Sequence, residues 1–271
     1  MKKQFLNSTS ATVLATVFSF AAVSSPAMAA PPPPPPLLSI YNWTGFYGGA
    51  NVGYGFGTGT PTYVDPALGL FGFPTAFSGM GGSDQLQGAI GGLQAGYNWQ
   101  INQRWVTGLE TDFQGSSQRA SRVFNFPFSD TEGLSGTFSS RIHWFGTVRG
   151  RIGYLIDPMT LVYATGGLAY GKVSVAGSFV DTTFGCGVCA WSFDASTTKV
   201  GWAAGAGIEG AFPTPAGWNT KNWTWKFEYL HIDLGTFSGT GFDPDFGGPF
   251  AWSAKFTNDI LRFGVNYHIH P

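Results

Sequence analysis

Between Asn258 and Ile269, Leu261, Phe263, Val265, Tyr267 and Ile269 fall on one side of an extended chain, and Arg262, Gly264, Asn266 and His268 on the other. A half-buried strand of a water-soluble sheet has the same period, so this run alone does not name its solvent. Recurrence does. Comparable runs occur about eight times, each near the ~9–11 residues a tilted strand needs to cross hydrocarbon, with short and long connections alternating.

The pattern predicts strands at 43–56, 87–100, 105–114, 140–155, 161–175, 197–212, 223–233 and 258–269. Short turns fall at 101–104, 157–160 and 213–222, and long loops at 57–86, 115–138, 176–196 and 234–254. The two faces of the 161–175 strand are left unassigned. In hydrocarbon no water satisfies an open sheet edge, so such a sheet must close on itself. The expected fold is all-β: a transmembrane eight-stranded antiparallel up-and-down β-barrel with four long outer loops and short periplasmic turns.

On this reading the wet faces carry Glu110, Asp112, Arg141, Arg149, Arg151, Glu209, Lys226, Glu228 and Arg262 into the barrel interior. Unpaired charge in a narrow interior is costly, which predicts interleaved ion pairs that plug the bore. Opposed charges also describe a channel lining, so a small pore stays open as an alternative. Trp43, Trp99, Trp105, Tyr154, Tyr163, Trp223, Trp225 and Tyr267 share a height near the periplasmic strand ends and are expected to form an aromatic girdle.

Composition fits a barrel. Charged residues make up 11% of the 271, against roughly 25% in ordinary soluble domains, while 17% are aromatic and 40 are glycine. Mean hydropathy is only +0.04, as expected when apolar and polar positions alternate. A net charge of −1 without a Lys/Arg cluster argues against nucleic acid as partner.

Lys2 and Lys3, an apolar run over 11–23 and Ala27-Met28-Ala29 make residues 1–29 a secretory signal peptide. Pro31 to Pro36 give residues 30–41 the character of a stiff periplasmic spacer, which leaves 42–271 for the barrel domain.

Cys186 and Cys189 lie in the third long loop, where export favours a local disulfide over a metal or redox site, a zinc site needing four ligands. The four histidines form no ligand cluster, and no Ser-His-Asp arrangement or phosphate cradle stands out. No cofactor is implied. Phe124, Phe126, Phe128, Phe246 and Phe250 place aromatic surface in the loops, a basis for a binding module or for packing on the barrel rim.

Asn42-Trp43-Thr44-Gly45-Phe46-Tyr47-Gly48-Gly49, Asn51-Val52-Gly53-Tyr54-Gly55, Gly150-Arg151-Ile152-Gly153-Tyr154, Tyr163-Ala164-Thr165-Gly166-Gly167-Leu168-Ala169-Tyr170 and Arg262-Phe263-Gly264-Val265-Asn266-Tyr267, with the signal and the proline stretch, span the mature chain. Together they resemble the small eight-stranded outer-membrane β-barrels of alphaproteobacteria, a porin-like group of major surface proteins. The resemblance implies an outer-membrane location and a structural or envelope-integrity role, with porin activity or host-surface interaction in some members. Chains of that group end in an aromatic residue that the assembly machinery reads; here Ile269 holds the position and His270-Pro271 follow. The expected protein is a monomeric, non-catalytic surface barrel. Its partners are outer-membrane lipid, lipopolysaccharide and, through the C-terminal strand, the barrel-assembly machinery.

Overall fold

A computed structural model describes residues 41–64, 66, 76–78, 84–127, 133–182, 189–213, 220–243 and 248–269. The signal peptide and the proline spacer, apart from Tyr41, lie outside the described residues, as do Cys186, Phe128, Phe246 and His270-Pro271.

The strands are β1 (Gly45–Val64), β2 (Ala76–Ser78), β3 (Asp84–Gln100), β4 (Trp105–Ser116), β5 (Arg119–Pro127), β6 (Gly133–Asp157), β7 (Thr160–Asp181), β8 (Cys189–Ala211), β9 (Trp223–Asp243) and β10 (Gly248–Ile269). Antiparallel pairings run β1–β3, β3–β4, β4–β6, β6–β7, β7–β8, β8–β9 and β9–β10. β10 then pairs with β1 from Phe46↔Ile269 to Val64↔Ala251, which closes a ring of eight. β5 prolongs the β4 position along the edge of β6, and β2 is a short flap on the end of β1. Two short turns are tied by Asx contacts. The Arg104 and Trp105 amides donate to Asn102 Oδ1, each at 2.9 Å, and the Met159 amide donates to Asp157 Oδ1 at 2.8 Å.

The strands are longer than expected, and the segments taken for long loops are largely strand. β10 shows why. Its odd-numbered residues face outward throughout, its even-numbered ones inward. From Ile269 to Leu261 the outward set is apolar; from Asp259 to Ser253 it reads Asp, Thr, Lys, Ser. The inward set changes the opposite way, from His268, Asn266 and Arg262 to Ile260, Phe256, Ala254, Trp252 and Phe250. The same exchange occurs on β8, where Val200 and Trp202 outside give way to Thr198, Ser196, Asp194 and Ser192, while Phe193 and Trp191 turn in. The lower half is a barrel built for lipid, and the upper half is built for water with its own apolar core. A reading that sought apolar residues on one face throughout ended the strands where that face changed.

Arg141 is the clear misassignment among the expected interior charges. It is exposed on the outside, and its neighbour Ile142 is buried. A β-bulge at His143 inserts one residue between Ile142↔Val173 and Trp144↔Lys172, which inverts the side-chain parity of β6 above it. Strict alternation carried Arg141 to the wrong side.

Trp43 and Tyr163 also leave the expected girdle, because both point inward and are buried. Trp99, Trp105, Trp223 and Tyr267 do line the outer wall as exposed aromatics, with Tyr154 and Trp225 partly covered beside them. Trp105 meets Tyr154 edge-on at 5.4 Å, and Trp223 meets Tyr267 at 5.2 Å.

Phe124 and Phe250 are not displayed for a ligand: they are buried in the upper core, where Phe179 contacts both. Cys189 opens β8 and is disulfide-bonded.

Candidate functional site

Alternation places every second residue of the lower strands inside, and register sets carboxylates beside cations. Glu110 on β4 lies opposite Arg149 on β6, Glu228 on β9 opposite Arg262 on β10, and Glu209 on β8 opposite Lys226 on β9. Four carboxylates (Glu110, Asp112, Glu209, Glu228) and four cations (Arg149, Arg151, Lys226, Arg262) are each no more than 4% exposed. Their formal charges cancel.

Arg149 is the hub. Its Nη2 donates to Glu110 Oε1 at 2.5 Å and Asp112 Oδ2 at 3.0 Å, its Nη1 to Glu228 Oε1 at 2.8 Å, and its Nε to Thr147 Oγ1 at 2.9 Å. Arg262 Nη2 reaches the same Asp112 and Glu228 oxygens at 2.9 and 2.8 Å. Lys226 Nζ donates to both Glu110 oxygens at 2.8 and 2.9 Å and stands 3.3 Å from Glu228 Oε2. Every cation in this layer touches at least two carboxylates. That sharing offsets the cost of taking so many charges out of water.

Arg151 links this layer to the one beneath it. Its Nη2 donates to Glu209 Oε2 at 2.7 Å, and its guanidinium lies 4.0 Å from the centre of the Tyr163 ring. Thr224 and Asn266 also donate to Glu209, at 2.7 and 2.9 Å, and His268 Nε2 stands 3.3 Å from it. His268 had been assigned no role. It stacks on Tyr47 at 5.2 Å and closes the lower end together with Tyr41 and Trp43. Trp43 is fully buried, and its Nε1 donates to the Pro158 carbonyl at 3.4 Å.

The sequence reading missed the two phenols. Tyr47 donates to Glu110 Oε2 at 2.8 Å and Tyr163 to Glu228 Oε2 at 2.6 Å, so each fixes a carboxylate that the cations share. Their signal was present as tyrosine at inward parity opposite glycine. Tyr47 lies across from Gly96, and Tyr163 across from Gly207. A Cβ on Gly207 would stand 2.6 Å from the Tyr163 Cζ and hydroxyl and 2.8 Å from the Phe227 carbonyl. The glycine makes room for the ring.

Gly207→Ala is therefore expected to displace Tyr163 from Glu228 and lower stability by about 1–3 kcal/mol. Gly166→Ala, whose new methyl would meet only the Ala203 carbonyl at 3.6 Å, serves as the matched control. Urea unfolding of the refolded protein in lipid vesicles, followed by tryptophan emission, measures both.

Over the charged layers lie amides and then hydrocarbon. Gln118 and Asn258 pair reciprocally at 2.7 and 3.0 Å, and above them Leu86, Ile90, Ile142, Phe145, Leu230, Ile232 and Ile260 fill the bore. Phe179, Phe193, Trp252, Tyr63 and Phe250 pack over those. No group of three or more His, Cys, Asp or Glu suited to a metal occurs among the described residues.

The outer membrane protein beta-barrel domain family matches residues 15–268. The 31 kDa outer-membrane immunogenic protein of Brucella melitensis is 39% identical over 203 residues, 72% of each chain. The 22 kDa outer membrane protein of Rhizobium leguminosarum bv. viciae is 36% identical over 153 residues, 56% of each chain. Among solved structures, the outer membrane protein OprG of Pseudomonas aeruginosa superposes with a TM-score of 0.44 at 11% identity, over 84% of this chain and 98% of that one. By the match along nearly its whole length, in keeping with its closed ring and apolar belt, the chain belongs to the outer membrane protein beta-barrel family and resides in the outer membrane.

Proposed function

We propose that this protein is a non-conducting, non-catalytic structural barrel of the outer membrane that contributes to envelope integrity as a monomer. One observation carries the reading: the bore is filled from end to end. Trp43 and Tyr41 occupy the lower mouth, eight neutralising charges fill the middle, and a hydrocarbon core fills the upper half. An eight-stranded ring is only wide enough for its own side chains, and here they are used to the full.

The competing reading is a small diffusion channel for hydrophilic solutes. A channel needs a continuous polar path, and the aromatic and aliphatic layers above Gln118 interrupt one. Refolded protein in planar bilayers is expected to give no stable conductance steps. Reproducible steps whose ion selectivity follows charge reversal at Arg149 or Arg151 would refute the proposal.

Assembly is proposed to proceed through the β10 strand, whose pairing with β1 completes the ring.

A further inference from the structure

Above the lipid belt, the outward charges of β9 and β10 are matched. Lys255 lies 3.4 Å from Asp233, and Asp259 takes the Tyr229 hydroxyl at 2.6 Å and stands 2.7 Å from His231. The wall formed by β5, β6 and β7 differs. Arg119 and Arg141 stand directly opposite each other in the β5–β6 ladder, both exposed. Like charges so placed repel.

Lys172 joins them from β7, outward-facing and opposite Trp144, where the His143 bulge displaces the register. His143 sits in the middle, 2.9 Å from Ser174 Oγ and within the fields of both Arg141 and Lys172, with Asp194 as the nearby charge of opposite sign. None of the three cations has an ion-pair partner among the described residues. The bulge that sends Arg141 outward is what gathers the patch.

Its height is marked from below. Phe113 stacks on Trp144 at 5.5 Å, and Trp144 meets Tyr170 edge-on at 6.3 Å, which makes an aromatic band immediately under the cations on the lipid-facing wall. Such bands lie at the level of headgroups. We propose that Arg119, Arg141 and Lys172 dock the anionic sugar headgroup of lipopolysaccharide, with Trp144 and Tyr170 against the first carbons of its acyl chains. Guanidinium forks pair with phosphate or carboxylate oxygens in two-point fashion, and the Ser174 and Ser139 hydroxyls beside them suit a sugar. A wall facing sideways into the leaflet meets lipid. This docking rests on the outer-membrane location and is independent of whether the bore conducts.

The test uses the full mature chain refolded in neutral detergent micelles and titrated with fluorescently labelled rough lipopolysaccharide. The Arg119→Gln, Arg141→Gln, Lys172→Gln triple variant is expected to bind at least about tenfold more weakly, each basic residue near an anionic surface being worth roughly fivefold. Lys255→Gln should bind as the wild type does. Gel mobility without heating checks that each variant is folded, and should the triple variant misfold, the pair Arg141→Gln and Arg141→Lys replaces it, with binding kept only by the lysine. Equal binding by the triple variant and the wild type would overturn the docking site. Phosphatidylglycerol micelles bound as tightly as lipopolysaccharide, and weakened equally by the substitutions, would show that the patch reads charge alone and would overturn the assignment to a sugar headgroup.

Discussion

Arg149→Met is expected to lower the stability of the refolded barrel by about 3–5 kcal/mol, the usual cost of removing one partner from a buried ionic group. The side chain reaches Glu110, Asp112 and Glu228, each of them buried, so its loss strips a cation from three carboxylates at once. Methionine restores most of the volume, so the loss isolates charge from packing. Adding Asp112→Asn to Arg149→Met should restore part of the loss, because the carboxylate left with least compensation, paired then with Arg262 alone, is neutral. Simple additivity in that double variant would contradict the shared-network description. Urea midpoints in lipid vesicles give all three values. Opening a conducting path is not expected, since the layers above and below remain.

Phe179→Ala should cost a comparable amount, about 3–5 kcal/mol, by a different mechanism and in a different place. Phe179 is 2% exposed, and its ring lies 5.4 Å from those of Tyr63 and Trp191, 5.8 Å from Phe124 and 6.1 Å from Phe193. Removing it leaves a hole among rings that cannot all turn to fill it. The two variants are separable by amide hydrogen exchange. With Phe179→Ala, faster exchange should be confined to the upper parts of β6, β7 and β8, whereas Arg149→Met should speed exchange in the belt as well. Protection lost equally everywhere with Phe179→Ala would mean that the two halves do not have separate cores.

The lower half was legible because two independent regularities agree there. In β9, Trp223, Trp225, Phe227 and Tyr229 alternate with Thr224, Lys226 and Glu228, so one period names both the strand and its orientation. β7 resisted because Leu161 and Tyr163 point inward while Ala164 and Gly166 face out, which leaves little contrast between its faces. Arg141 went astray at the His143 bulge, an insertion that depends on pairing with β7 and leaves no mark in β6 alone. Tyr47 and Tyr163 were passed over as plug components because a phenol is read first as hydrocarbon, and only the carboxylates across the bore make its hydroxyl decisive. The upper strands were read as loops for the reason already evident in β10: apolar residues persist there at every second position, but on the other side.

That exchange of sides has a consequence for how the molecule floats. Along β10 the pleat never loses step between Gly248 and Ile269. Immersion is therefore written in hydropathy alone, and the point between Asp259 and Leu261 acts as a waterline. At roughly 3.3 Å per residue, the dozen residues beyond it raise a tower up to about 40 Å in length along the strand. Above the waterline the described strands therefore stand as a firm, internally packed turret.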